Sequence, residues 1–385
     1  MSNEINDFEF QPYYLEDVHS ESDKALFTVV STFAGGGGSS TGYRLAGGNV
    51  LLVNEFIPEA VETYKENYPD TPVLPINIRE ITSGKSKDIK ECFKSYGIEP
   101  GELDILDGSP PCCDYSKSNT VPKHKRKKVS TYSGTTQKSV GKLIHDFVTV
   151  ATAMCPKVII IENVPTIQKA AVFKKALNRL RKKGYLINFS TLTASHFDVS
   201  QRRKRLFVVG VRHDIAEKAG ITNESDILEI YPTGSTYEPT IRDCLSNLEI
   251  DKRERNLLLT SCRQSSHYEL IRSMPFSPQK PLTIRFVDPE WTSDFNLVRS
   301  SWDKPCPTLT QTGQQTVGRS GVFHPDENRK FAINELKRLT GLPDDFHLTG
   351  TFNQQAERIC RMVPPLMTKA LATAVYEAVL SKLED

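Results

Sequence analysis

The 385-residue chain lacks most of the features that would assign it to a specialised class. No run approaches the roughly 18 apolar residues that a membrane-spanning helix needs, so no membrane partner is expected. Residues 1–24 are polar and acidic, with no basic stretch leading into an apolar one, and no signal peptide is expected. The eight cysteines form no CxxC pair and no His/Cys cluster. That argues against a metal site or a disulfide framework, and for a reducing, cytoplasmic setting. Internal repeats and low-complexity tracts are absent too. The net charge is only +2, which speaks against a protein that coats nucleic acid regardless of sequence. What remains is an ordinary globular composition, 38% hydrophobic and 25% charged, with length for one large domain and a smaller one.

Positive charge is nevertheless concentrated. Lys123-His124-Lys125-Arg126-Lys127-Lys128 and Gln201-Arg202-Arg203-Lys204-Arg205 are stripes suited to gripping a backbone of phosphates, whereas 179–183 reads as a solvated helix face. From about residue 25 to 212, apolar runs of strand length alternate with helix-like segments. Segments 25–30, 49–53, 103–106, 158–161 and 206–211 are apolar nearly throughout, as strands buried on both faces are. This predicts an α/β fold, doubly wound about a mostly parallel, Rossmann-like sheet. Beyond residue 212 the pattern breaks, and 213–300 reads as a separate, irregular module. Helices are expected near 334–339 and over 365–380.

Three motifs carry chemistry. The turn Phe33-Ala34-Gly35-Gly36-Gly37-Gly38 lies between a strand and a helix, where glycines let a ligand approach free backbone N–H groups. Glu55 closes the second strand about 20 residues on, placed for the two hydroxyls of a ribose. Glycine spacing alone does not separate a nicotinamide cofactor from S-adenosylmethionine. Cys112, in Gly108-Ser109-Pro110-Pro111-Cys112, follows a strand at the ligand-binding edge of the sheet, and the prolines stiffen its approach. Glu162-Asn163-Val164 ends the run Val158-Ile159-Ile160-Ile161 and supplies an acid.

With these motifs in this order, the chain resembles the cytosine-C5 DNA methyltransferases over about residues 27–380. Phe33, Gly35, Gly37 and Gly38 match the cofactor turn and Asn54-Glu55 the ribose site. Pro110-Pro111-Cys112 matches the nucleophile loop, Glu162-Asn163-Val164 the acid and Gln201-x-Arg203-x-Arg205 the basic motif. Asp303-Lys304-Pro305-Cys306-Pro307-Thr308 and Val363-Pro364-Pro365 match the late motifs. The resemblance implies that Cys112, Glu162, Arg203 and Arg205 act on an extruded cytosine: Cys112 adds to C6, Glu162 faces N3, and the arginines hold the base oxygen, Glu162 and phosphate. It also implies cofactor contacts from Phe33, Gly35, Gly37, Gly38, Glu55, Asn77, Ile78, Pro111, Arg361 and Val363. DNA contacts are expected from Ser116, Lys123, Lys125, Arg126, Lys127, Lys128 and Gln201. The expected organisation is a polar extension (1–24), a catalytic and cofactor domain (25–212), a target-recognition domain (213–325) and a C-terminal segment returning to the catalytic domain (326–385). Within the recognition region Arg242, Arg253, Arg255, Arg263, Gln264, Arg272 and Arg285 are candidates to reach DNA. The implied partners are double-stranded DNA, bound by a monomer, and a companion restriction endonuclease.

The chain departs from the family pattern at three places. Cys113 replaces the usual glutamine, and Asn77 replaces an aspartate that accepts from the adenine amine. Arg361 stands in Cys360-Arg361-Met362-Val363-Pro364-Pro365, where the family has asparagine beside the methionine part of the cofactor. Three readings of Arg361 are open: it turns outward, it pairs with the cofactor's own carboxylate, or it recognises an extra carboxylate, as in carboxy-S-adenosyl-L-methionine, to yield 5-carboxymethylcytosine. An RNA methyltransferase on the same core, an inactive DNA-binding relative and, more distantly, a Rossmann dehydrogenase are the competing classes. The lysine run also fits a nuclear localisation signal when read alone.

Overall fold

The computed structural model describes residues 8–84, 86–111, 129–132, 135–138, 140–291, 297–311, 313–316 and 321–383. Helix α1 (Leu15–Ser22) precedes the first of the core strands. Strand β1 (Phe27–Thr32) leads into α2 (Gly38–Leu45), β2 (Gly48–Asn54) into α3 (Pro58–Asn67), and the short β3 (Val73–Leu74) into α4 (Ile78–Thr82) and α5 (Ser86–Lys94). Then come β4 (Ile105–Gly108), the hairpin β5 (Val129–Tyr132) and β6 (Thr135–Lys138), α6 (Leu143–Met154), β7 (Val158–Asn163), α7 (Ala171–Arg181), β8 (Tyr185–Thr193) and β9 (Lys204–Arg212).

The main sheet has the order β3-β2-β1-β4-β7-β9-β8. Strands β3 through β7 in that order are parallel, and β9 and β8 close the edge as an antiparallel pair. Alternation along each strand sends side chains to two separate cores. Val29, Ile105, Ile160 and Val209 face one, while Val30, Leu106, Ile161 and Val208 face the other. The mostly parallel α/β sheet is therefore as expected. Strand β8 was not anticipated, because Tyr185, Ile187 and Leu192 are buried while their neighbours are half-solvated, as at a sheet edge.

Three boundaries differ from the sequence reading. The first concerns the supposed polar extension. Val18 of α1 is fully buried in the core cluster that also holds Tyr43 of α2. The Tyr13 hydroxyl donates to Gly341 O at 2.7 Å, and Leu15 N donates to Asp345 Oδ1 at 2.9 Å. Two apolar side chains, Leu15 and Val18, on an acidic helix are too sparse a signal to reveal such docking.

The second concerns residue 213. Helices α8 (His213–Lys218), α9 (Asp226–Glu229) and α10 (Ile241–Leu245) place Ile215, Ile227 and Ile241 in the larger core, not in a separate module. A separate, smaller cluster is formed by Cys262, Ile271, Met274, Ile284, Leu297 and Phe323. It is built by α11 (Lys252–Arg263), α12 (Tyr268–Ser273) and a sheet of β10 (Leu282–Thr283), β11 (Leu297–Arg299) and β12 (Gly321–Phe323).

The third is in the C-terminal segment. Helix α13 (Ile333–Thr340) ends at Gly341 as expected, but α14 (Phe352–Arg361) was not foreseen, and α15 (Pro365–Val375) gives way to a π turn over Tyr376–Leu380. Helix α15 packs against α2, so the chain's end backs the glycine turn.

If α1 belongs to the core, Val18→Ala lowers the unfolding free energy by about 1–3 kcal/mol, as removal of two buried carbons does. Urea unfolding measures this. A residue in a solvated tail would stay within about 0.5 kcal/mol of the parent.

Candidate active site

Parallel register brings four strand ends into one row. Thr32 of β1 pairs with Asn54 of β2 and with Gly108 of β4, and Gly108 pairs with Ile161 of β7. The residues that follow on the four chains are Phe33, Glu55, Ser109 and Glu162. Phe33, Glu55 and Ser109 thus leave their strands beside Glu162, which is still paired with Phe207 near the end of β7, at the carboxyl edge where such folds bind ligands.

The glycine turn is held from behind and open in front. Phe33 takes φ +56 and Gly37 φ +105, a backbone path that a side chain at 37 would strain. A Cβ on Gly38 would lie 2.6 Å from Val363 O and 2.8 Å from Met362 Cβ, so only glycine lets the segment after α14 close on the turn. A Cβ on Gly35 would meet nothing within 4 Å, which marks the open side. Glu55 sits beneath that opening. Its carboxyl accepts from Gly35 N at 2.9 Å, and from Phe56 N and Ile57 N at 2.8 Å each. Burial pushes this carboxyl above the ordinary range, while the three N–H groups and the nearby Arg358 guanidinium pull the other way. Open space over the glycine backbone beside a held carboxylate suits an adenosyl group.

Glu162 and the nucleophile loop are fastened together. Arg205 Nε lies 2.8 Å from Glu162 Oε1, with both side chains largely buried, as the family resemblance implied for this pair. The next residue, Asn163, donates from Nδ2 to Pro110 O at 2.9 Å. The base of the loop is therefore pinned to the strand that carries the acid. Pro111 is the last described residue before the loop, and Cys112, Cys113, Ser116, Lys123, Lys125, Arg126, Lys127 and Lys128 lie outside the described residues.

Other expected residues are placed differently. Gln201 is 1% exposed. Its amide accepts from Leu309 N at 3.2 Å and donates to Leu339 O at 3.2 Å, so it is a buried joint between segments distant in sequence. Arg203 is likewise buried and donates to Leu309 O at 3.1 Å and Arg361 O at 3.5 Å, tying β9 to the Pro-Thr segment and to the end of α14. The Asn77 side-chain oxygen caps α4 by accepting from Arg79 N at 3.1 Å, and the Ile78 side chain packs in a core cluster. Arg361 Nη2 lies 2.6 Å from Glu357 Oε1, one helical turn back on α14. On the recognition region, Arg242 pairs with Asp303 at 2.7 Å, Arg255 with Glu327 at 2.7 Å and Arg272 with Glu269 at 2.8 Å. Sequence reasoning gave neither Asn163, named only within its motif, nor Asp107 a role of its own. The signal for Asp107 was present, a carboxylate inside the otherwise apolar β4.

The family described as C-5 cytosine-specific DNA methylase matches residues 27–377. The Type II methyltransferase M.Sau96I of Staphylococcus aureus is 24% identical over 387 aligned residues, covering 97% of this chain and 81% of that protein. DNA (cytosine-5)-methyltransferase 3 of Arabidopsis thaliana is 25% identical, and the match takes in 92% of this chain but 31% of the plant protein. Among solved structures, a DNA modification methyltransferase encoded within an E. coli prophage superposes with a TM-score of 0.65 at 20% identity, covering 93% of this chain and all of that one. The S. pombe Dnmt2 methyltransferase superposes with a TM-score of 0.61 at 16% identity, over 93% of this chain and all of its own. At such identities the superpositions speak for the fold.

Two substitutions test the site's construction. Gln201→Ala leaves Leu309 N and Leu339 O unpaired and costs about 1–3 kcal/mol of stability, while the slope of log affinity for DNA against log salt stays unchanged. Gly38→Ala forces the turn from Val363 by overpacking worth about 1–3 kcal/mol. Calorimetric titration should register weaker cofactor binding, by roughly 5- to 150-fold.

Proposed function

Because the chain belongs to the C-5 cytosine-specific DNA methylases, we propose that it extrudes a target cytosine from duplex DNA, adds Cys112 to C6 and places a methyl group on C5. It is an S-adenosyl-L-methionine-dependent DNA (cytosine-5-)-methyltransferase. The observation that supports the mechanism is the fastening of Pro110, two residues before Cys112 in the sequence, to Asn163 of β7, the strand that also carries Glu162 and through it Arg205.

The residues that would hold the cofactor are the turn from Phe33 to Gly38, Glu55 at the ribose, and Val363 behind. When bound, the sulfonium group supplies the electrophilic carbon. Cytosine C5 is too electron-poor to take that carbon unaided. The Cys112 thiolate forms a bond to C6, and the C5–C6 π pair becomes available at C5. Glu162 holds a proton at N3, where it stabilises the charge developed on addition, and Arg205 keeps the Glu162 carboxyl aimed. Once C5 is substituted, its proton goes to a base, the electron pair re-forms the C5–C6 bond and the thiolate leaves. The target must leave the stack for any of this to occur. The Lys123–Lys128 run and Ser116 would meet phosphates next to it. The small domain would read the sequence, in a monomer acting in the cytoplasm alongside a companion restriction endonuclease.

A second reading concerns the transferred group. Arg361 puts a cation one residue before Met362, whose side chain backs Gly36 and Gly38. A carboxylate on the transferred carbon, as in carboxy-S-adenosyl-L-methionine, would compete with Glu357 for that guanidinium. A charge-assisted hydrogen bond gained there shifts cofactor preference about 10- to 100-fold. Mass spectrometry of nucleosides from DNA incubated with each cofactor separates the readings. Transfer of methyl alone, unchanged in Arg361→Asn, supports the first. 5-Carboxymethylcytosine that disappears in this variant supports the second.

Cys112→Ser should abolish turnover and leave DNA binding intact. Duplex containing 5-fluorocytosine, which traps the parent enzyme covalently, should not trap the variant. An adduct that persists would refute the assignment of the nucleophile.

A further inference from the structure

Asp107 is a carboxylate in a strand interior, 2% exposed, and no step above uses it. Its oxygens receive three hydroxyls from two other elements. Oδ2 accepts from Ser31 Oγ of β1 at 2.7 Å and from Ser39 Oγ of α2 at 3.2 Å, and Oδ1 accepts from the Tyr43 hydroxyl of α2 at 3.0 Å. Thr32 Oγ1 adds a bond to Asp107 O at 3.1 Å. Ser31 and Thr32 lead into the glycine turn, Ser39 and Tyr43 lie on the helix that leaves it, and β4 leads to Cys112. One side chain therefore grips the turn from both ends and fastens it to the strand that delivers the nucleophile.

We propose that Asp107 is a positioning residue for the transfer reaction: through Ser31, Ser39 and Tyr43 it holds the cofactor turn in register with the end of β4, so that cofactor binding depends on this side chain remaining an acceptor. The inference rests on the reading of the turn as the cofactor site. An ionised carboxylate accepts with both oxygens, whereas a protonated one, or an amide, must donate from one of them. With hydroxyls already donating from both partner elements, a donor at this point meets another donor. At least one of the ties from Ser31, Ser39 and Tyr43 must then reorient or break.

Among the described residues, few groups face Asp107. Strand β1 brings Ser31, α2 brings Ser39 and Tyr43, and β7 brings Glu162, itself paired with Arg205 of β9. Helix α15, on the far side of α2, brings the buried Thr368 beside Gly42, with Lys369 exposed, and α6 brings Phe147 beside Gly108. Burial pushes the Asp107 carboxyl up from 3.8 to about 6, the three hydroxyls oppose this, and the charge of Glu162 adds to it. A carboxyl whose folded value is raised favours the fold below pH 3.8 and loses that contribution as the pH rises through about 6. At neutral pH the fold thus holds Asp107 ionised at the expense of stability, as expected of a group retained for function.

Calorimetric titration with S-adenosylhomocysteine between pH 5 and 8 tests the proposal, with Tm recorded alongside. In the wild type, affinity should weaken about 10-fold as the pH falls through 6. Asp107→Asn should show that weakening already at pH 7.5, lack the component titrating near 6, and melt no lower than the wild type at pH 7.5. Wild-type affinity in Asp107→Asn would overturn the proposal. So would a parallel fall in Tm and affinity with the titration intact. Should that variant not fold, Ser39→Ala with Tyr43→Phe removes the ties from the donor side and must weaken binding likewise; unchanged affinity there overturns the proposal too. A wild type that binds no S-adenosylhomocysteine at any pH would instead refute the cofactor reading, and the inference with it.

Discussion

The arrangement of the site depends on the parallel register of β1, β2, β4 and β7. A one-residue slip would reverse the face of every side chain on a strand, moving Val29 or Ile105 from one core to the other. Because both faces are buried, such a slip is strongly penalised. The same constraint fixes which residues emerge together at the carboxyl edge. Phe33, Glu55, Ser109 and Glu162 are neighbours since Thr32, Asn54, Gly108 and Ile161 are partners. Catalytic geometry here follows from core packing, with hydrogen bonds such as Asn163 to Pro110 refining it.

Buried polar side chains serve as joints between pieces that apolar packing alone would leave free to slide. Gln201 and Arg203 join the end of β9 to the Leu309 backbone, and from there to α13 and α14. In the small domain, Arg299 of β11 is fully buried and donates to the carbonyls of Ile271, His324 and Glu327. Burial pulls its pKa down to about 10, against the opposing pull of Cys262 and the Asp326 carboxylate. An arginine's fixed fork can satisfy several carbonyls at once, which suits a domain with a small apolar cluster. The basic motif at 201–205 thus divides its labour. Arg205 faces the acid, while Gln201 and Arg203 hold the frame.

Much of the fold was legible because its signals are local. Apolar runs, a glycine turn and an acid at a strand end each lie within a few residues, and parallel sheets announce themselves by strands buried on both faces. Strand β8 and helix α14 were missed because half-solvated edges and mixed polar helices carry weak periodicity. The docking of α1 was missed because it depends on what lies opposite Val18, and nothing in residues 15–22 states that.

The sequence by itself determined the chemical inventory: a cysteine behind two prolines, an acid at the end of an apolar strand, and glycines where a ligand needs backbone. Tertiary structure decided which polar groups face the reaction and which face inward. Gln201, Arg203 and Asp107 resemble surface or site residues in the linear chain, yet each is enclosed by partners brought from positions distant in sequence. Burial and hydrogen-bond pairing are properties of the assembled neighbourhood, so they exist only once the sheet has set its register and the terminal helices have closed against it.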